Sequence, residues 1–299
     1  MKPKPKRANL AFELALLAIL ALLWGSSYLW IKVAVATIPP LTLTTIRVAV
    51  AAIVLLVVVR ILKLPLPTDW RTWQLLSIQA FFNSTGAWTI LAWGQQFVDS
   101  GLAGVLNSTS PIFVLLITAI WTRHEPVTWM NLLGVAIGVG GIIMIIGLDA
   151  FRGLGHQVLA QIAVLTSAFL YALAAVFGKG RYPEMHPTVI AAGTMICATA
   201  CLLPLSFAVE HPWKLEPSLG SLVAAVILGI FCTGLALLLY FRLLETLGSI
   251  GVASQAYLRA GLSVTLGVVV LGEQLTMMIA IGVVATILGV ALINFPRRA

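Results

Sequence analysis

LAFELALLAILALLWGSSYLWIK, residues 10–32, stays apolar for the length of a bilayer crossing. An α-helix rises about 1.5 Å per residue, so about 20 apolar residues cover the hydrocarbon core. Its two charges, Glu13 and Lys32, stand near its ends. The preceding MKPKPKRAN imitates the basic start of a secretory leader, but the apolar run outlasts the about 7–15 residues of a leader core. It reads as a first membrane helix with a basic cytoplasmic anchor.

Nine similar segments follow, at about 41–59, 73–97, 101–121, 129–148, 158–178, 187–209, 219–241, 249–271 and 275–295. The alternation of a β-barrel is absent, and a chain in lipid must otherwise close its backbone hydrogen bonds within helices. Composition agrees: 60% of the 299 residues are hydrophobic and 9% charged. A soluble domain carries about 25% charged residues. The pI near 9.8 does not imply nucleic acid, because the basic residues cap apolar spans and form no continuous face.

Lys and Arg set the expected orientation. With the N-terminus inside, thirteen fall in inner segments and three (Lys32, Arg152 and Lys214) in outer ones, while Arg47 and Arg259 lie within spans. Both termini are therefore expected in the cytoplasm of a multi-pass protein of the bacterial inner membrane.

The two halves repeat. At an offset of 147, Trp24 meets Tyr171, Lys32 meets Lys179 and Pro40 meets Pro187. At 148, Ser84-Thr85-Gly86 meets Cys232-Thr233-Gly234, Asn107 meets Gln255, Glu125 meets Glu273, Gly134 meets Gly282 and Gly141 meets Gly289. Five helices per half is an odd number, so the second half enters from the opposite side. The expected fold is all-α: ten transmembrane helices as two inverted five-helix repeats around a central cavity. The expected boundaries are a basic tail at 1–9, repeats at 10–148 and 158–295, an outer linker at 149–157 and a tail at 296–299. Inverted repeats are a hallmark of alternating-access transporters with a site at mid-membrane.

WGSSYLWIK at 24–32, PPLTLTTIR at 39–47 and NSTSPIFVLL at 107–116, followed by Glu125 and Gly134, resemble the successive blocks of the drug/metabolite transporter superfamily, EamA type. Gly272, Glu273, Gly282 and Gly289 resemble the copy of the last block. The resemblance covers nearly the whole chain. It implies export of small metabolites, and the chain looks similar to the YddG-type aromatic amino acid exporters. One position departs: the family often has Pro where this chain has Arg259, opposite Pro111.

Aromatic residues at Trp70, Trp73, Trp129, Trp30, Trp93 and Trp213 fit an ordinary interfacial belt. Trp24, Trp88 and Tyr171 lie deeper and suit stacking on a flat solute, with helix packing as the plainer role. Asn83, Asn107 and Gln255 are amides inside apolar helices that need a partner or a wet cavity. Pro111 is a candidate break in the fourth helix. Arg259 lies near mid-depth, where a guanidinium can grip a carboxylate with two hydrogen bonds. Tyr257 points elsewhere around the same helix and completes the candidate lining. Glu13, Lys32 and Arg47 are candidates for gating or coupling, with interface anchoring as the alternative. The acidic residues otherwise lie at span ends, which favours facilitated diffusion over proton antiport.

The chain has no nucleotide, hydrolase or metalloprotease motif, and its three cysteines read as packing residues. The expected partners are a small-molecule substrate and the bilayer, with no cofactor, metal or nucleic acid, and a monomer or weak homodimer. Export of drugs or nucleotide sugars is the alternative within transport, and a membrane-embedded enzyme the alternative outside it.

Overall fold

The computed structural model describes residues 10–118, 120, 129–146, 156–178, 180–182, 184–247 and 255–293. Among them there is no strand. The first helix is α1 (Leu10–Ala34), followed by α2 (Pro40–Ile61). Next, α3 (Trp70–Ala80) runs through a π-helical turn, Phe81–Thr85, into α4 (Gly86–Gly94). Then come α5 (Ser100–Asn107), α6 (Ser110–Ile117) and α7 (Trp129–Ile146). The rest begins with α8 (His156–Gly178) and α9 (Pro187–Val209). There α10 (Leu219–Gly229) runs through a second π-helical stretch, Ile230–Leu235, into α11 (Ala236–Thr246). The described chain closes with α12 (Gln255–Leu271) and α13 (Met277–Ile293).

Among the described residues, six helical stretches are long and apolar enough to cross a membrane: Ala11–Ala34, Pro40–Ile61, Ser100–Ile117, Gln157–Gly178, Pro187–Val209 and Leu219–Leu243. Shorter apolar helices cover Trp129–Met144, Leu258–Leu271 and Met277–Leu292. The distribution of side-chain size decides the solvent. Ala21, Ala51, Ala103, Ala168, Ala192 and Ala224 are fully buried, whereas Ile53, Val269 and Met277 expose 63%, 75% and 78% of their surface. Small residues inside let helices approach closely, and large apolar ones outside face lipid.

Helix-to-helix packing is dominated by four pairs: α7 with α13, α2 with α9, α1 with α12, and α4 with α8. The first pair is glycine-made. A Cβ at Gly289 would stand 2.6 Å from the Gly134 carbonyl oxygen and from Gly138 Cα, so only hydrogen fits there. The Gly134–Gly138 face of α7 therefore packs within this chain.

The upper face joins α1 to α2, α4 to α5, α9 to α10 and α12 to α13. It is tightly tied. Lys32 Nζ donates to the Gln95 and Val98 carbonyls at 3.1 and 2.9 Å, and Gln95 donates to the Tyr28 carbonyl at 2.9 Å. Two helix N-termini there take their caps from distant carboxylates. Pro39 cannot cap α2, and Glu210 accepts from Leu41 N, Thr42 N and Thr42 Oγ1 at 3.0, 2.7 and 2.7 Å. Asp99 makes no side-chain cap on α5, and Glu273 accepts from Ser100 N and Gly101 N at 2.6 and 3.0 Å. Each carboxylate meets the positive end of a helix. The fourth expected span is interrupted at Ser108–Thr109, with Pro111 in the first turn of α6, where its missing N–H does no harm.

Candidate functional site

Five elements converge beside that break. On α1, Trp24 lies ten residues below Ala34, and on α12, Arg259 lies twelve below Leu271, roughly 15 and 18 Å at 1.5 Å per residue. Half of a hydrocarbon core is about 15 Å, so both are at mid-depth. Gly25 brings the two helices together: a Cβ there would lie 2.9 Å from Leu262 Cβ and 3.2 Å from the Arg259 carbonyl oxygen.

Arg259 is half-buried, and its Nη2 reaches Ser108 Oγ, the first residue of the break, at 3.4 Å. Its Nε is buried and has no hydrogen-bond partner. One residue earlier, Asn107 is fully enclosed. It accepts from Tyr28 Oη at 3.0 Å and donates to Ser167 Oγ at 3.1 Å, linking α1, α5 and α8. Trp24 meets Tyr240 of α11 at 5.4 Å between ring centroids.

A second cation enters from α2. Arg47 is 6% exposed, donates through Nε to Thr233 Oγ1 at 2.9 Å, and lies over the Trp88 ring at 3.9 Å. The π-helical stretch sets Thr233, whose hydroxyl also returns to the Leu228 carbonyl at 2.8 Å. Stretches of this type recur at functional positions. The buried Trp88 Nε1 lies toward the Tyr171 hydroxyl without completing a hydrogen bond. Cys232 Sγ, next to Thr233, lies 4.0 Å from Ser26 Oγ of α1, which sets the Arg47 side beside the Gly25–Arg259 contact.

The structure thus brings Trp24, Trp88, Asn107, Tyr171, Arg47 and Arg259 into one region. Asn83 sits in the first π-helical turn and donates to neighbouring Ser84 at 3.3 Å. Gln255 is buried at the start of α12 with Oε1 unpartnered. The Tyr257 side chain lies outside the described residues, as do Glu125, Trp121 and Asp149. Glu13 stands at the lower end, 2% exposed, held by Arg242 Nη2 at 3.3 Å and Thr246 Oγ1 at 2.9 Å. Lys32 stands at the upper face.

Tyr28, Ser167 and Thr233 were not singled out by sequence. A signal for two of them exists: Tyr28 follows Trp24 by four residues and Ser167 precedes Tyr171 by four, which places each on its partner's helix face.

An all-helical bundle with large apolar residues outside and polar and cationic side chains at mid-depth defines a multi-pass membrane protein. The EamA-like transporter family matches residues 11–147 and again residues 158–295, and the chain belongs to that family, within the drug/metabolite transporter superfamily. It is similar to the uncharacterized transporter YoaV of Bacillus subtilis (strain 168), 25% identical over 279 residues that cover 93% of this chain and 95% of that one. It is also similar to the uncharacterized inner membrane transporter YedA of Escherichia coli (strain K12), 28% identical over 270 residues that cover 89% and 85%. A solved crystal structure, 19% identical, aligns over 96% of this chain and 98% of its own with a TM-score of 0.67, and speaks for the fold alone. The chain is a membrane transporter.

Proposed function

We propose that the protein is a secondary transporter of the bacterial inner membrane that exports small carboxylate-bearing metabolites by alternating access. Aromatic and other neutral amino acids, as carried by YddG-type exporters, are the first candidates. Its scaffold is ten spans in two inverted halves, with both termini cytoplasmic and the upper face outside. The packing supports this symmetry. Exchanging the halves carries α1 on α12 onto α8 on α5 and α6, and α1 on α10 and α11 onto α8 on α3 and α4. It returns α2–α9 and α7–α13 to themselves. The two π-helical stretches fall in the third helix of each half.

The observation that carries the reading is Arg259: a mid-depth guanidinium beside a helix break, with a buried Nε unpartnered. A substrate carboxylate completes its hydrogen bonds, and the Trp24–Tyr240 pair offers an aromatic wall. Glu13 is engaged by Arg242 and Thr246, which supports facilitated diffusion over proton antiport.

The test is flux of radiolabelled aromatic and neutral amino acids into proteoliposomes, with and without a pH gradient. Saturable uptake that ignores the gradient and is lost in Arg259→Ala is expected. Uptake that follows the gradient overturns facilitated diffusion, and full activity in Arg259→Ala removes Arg259 from the site.

A further inference from the structure

The charge balance of this site narrows the substrate further, and the narrowing rests on the transport reading above. Arg47 and Arg259 both stand beside the Gly25–Ser26 stretch of α1, Arg259 through its backbone against Gly25 and Arg47 through Thr233, next to the Cys232 that meets Ser26. Each guanidinium has only neutral partners among the described residues: Thr233 and the Trp88 face for one, Ser108 for the other. The described carboxylates lie elsewhere. Glu13 is engaged at the lower end, Glu210 and Glu273 cap helices at the upper face, and Asp69 caps α3. Asp99, Glu184 and Glu216 are exposed near helix ends. A buried charge without a counter-charge is costly, and that cost is relieved by an anion. Two of the unsatisfied groups, Arg259 Nε and Trp88 Nε1, are N–H donors in need of acceptors, while Gln255 Oε1, one turn before Arg259, is a neutral acceptor.

A zwitterionic amino acid brings its carboxylate with an ammonium, and the described residues offer that ammonium no carboxylate within a doubly positive field. We infer that the preferred species is a net organic anion, a carboxylate on a flat or apolar body without a charged amino group (an oxo, hydroxy or aryl acid), with amino acids carried more slowly through the same site. Each turnover then moves negative charge. A potential of about 100 mV, inside negative, sustains an outward gradient of about 50-fold for a monovalent anion, so export needs no coupled proton.

Phenylpyruvate and phenylalanine share a body and differ in the amino group, which makes them matched probes. Proteoliposomes are loaded with potassium, valinomycin sets the potential, and uptake of each radiolabelled probe is followed. Thermal melting of the purified protein with each probe gives a second readout, independent of flux. Saturable phenylpyruvate uptake that changes at least tenfold with the sign of the potential is expected, with phenylalanine at least tenfold slower. Phenylpyruvate should raise the melting temperature of the native protein but not of Arg47→Gln or Arg259→Gln, each checked for an unchanged ligand-free melt. Phenylalanine uptake indifferent to potential, with phenylpyruvate excluded, overturns the anion inference and leaves the transporter standing. Phenylpyruvate uptake insensitive to potential also overturns it. Neither flux nor a melting shift with either probe sinks the substrate site itself, and the inference with it.

Discussion

Glu273→Gln is expected to unseal the upper face. In the described state its carboxylate holds Ser100 N and Gly101 N at 2.6 and 3.0 Å, joining the α12–α13 turn to the start of α5. Hydrogen bonds to a charged group contribute about 1.5–3 kcal/mol each, and a negative charge at a helix N-terminus about 0.3–1 kcal/mol. Glutamine keeps one acceptor, loses the charge and turns an NH2 toward one of the amides. Allowing for hydration of the freed groups, the loss is about 2 kcal/mol, or about 30-fold at 1.36 kcal/mol per tenfold. In the alternating-access mechanism proposed above these bonds belong to the state in which this face is closed, so the full change falls on the closed-to-open ratio.

The reporter is a single cysteine at Ser263, which is 1% exposed and abuts Gly104, where a Cβ would collide with the Ser263 side chain. Its modification by an impermeant thiol reagent applied from outside should speed up about 30-fold in Glu273→Gln. A second cysteine at Ala192, buried between α2 and α9, reports general loosening and should not respond. A rate at Ser263→Cys within twofold of the parent refutes the reasoning, and equal acceleration at both sites shows that the whole fold has loosened instead.

Lys32→Met removes two bonds to the carbonyls ending α4, and should raise the same reporter rate by about tenfold. Gly289→Ala forces a methyl group into the Gly134–Gly138 contact; overpacking costs about 1–3 kcal/mol, so melting in detergent should fall by several degrees. At Asp99, burial and then the Glu273 charge push the carboxyl above its ordinary range, with Lys32 opposing. The native state therefore binds that proton more tightly than the unfolded chain, and stability falls as pH rises through this range. Asp99→Asn should melt higher than the parent at neutral pH, with the gain shrinking as pH falls and the parent carboxyl takes up its proton. Glu13→Gln should lower stability through the Arg242 pair while leaving the flux response to a pH gradient unchanged.

Much of the scaffold was legible because hydropathy and punctuation act locally. Pro187–Val209 was read to the residue, and Pro111 foretold the interruption of the fourth span. The eighth span was read too short. Its helix continues to Thr246, since Arg242 and Thr246 bond the Glu13 carboxylate there and a hydropathy boundary stops at such polar residues. The site was less legible. Seven residues into α2, Arg47 read as shallow, but depth along one helix does not say which neighbours a long side chain reaches. Trp88 and Thr233 arrive from other helices. Glu273 was legible only as the repeat partner of Glu125, and its hydrogen-bond partners are 173 and 172 residues away in sequence.

The repeat itself explains why the charges are informative. The scaffold positions are duplicated: Trp24 with Tyr171, Asn107 with Gln255, Gly141 with Gly289. Lys32 with Lys179 repeats as well, but the two guanidinium groups of the site do not. At the same offsets Arg47 corresponds to Thr194, and Arg259 to Pro111. An inverted scaffold needs matched halves so that the two access states are close in energy, and that requirement constrains packing residues in both copies. It places no demand on a buried guanidinium, which is costly wherever it stands and gains nothing from a symmetric partner. Two such groups in one region, contributed once each by different halves, are therefore better explained by the charge of the solute than by the architecture. In the mechanism proposed above, a solute held by both guanidinium groups contacts both halves at once, and so senses the rearrangement that carries it across.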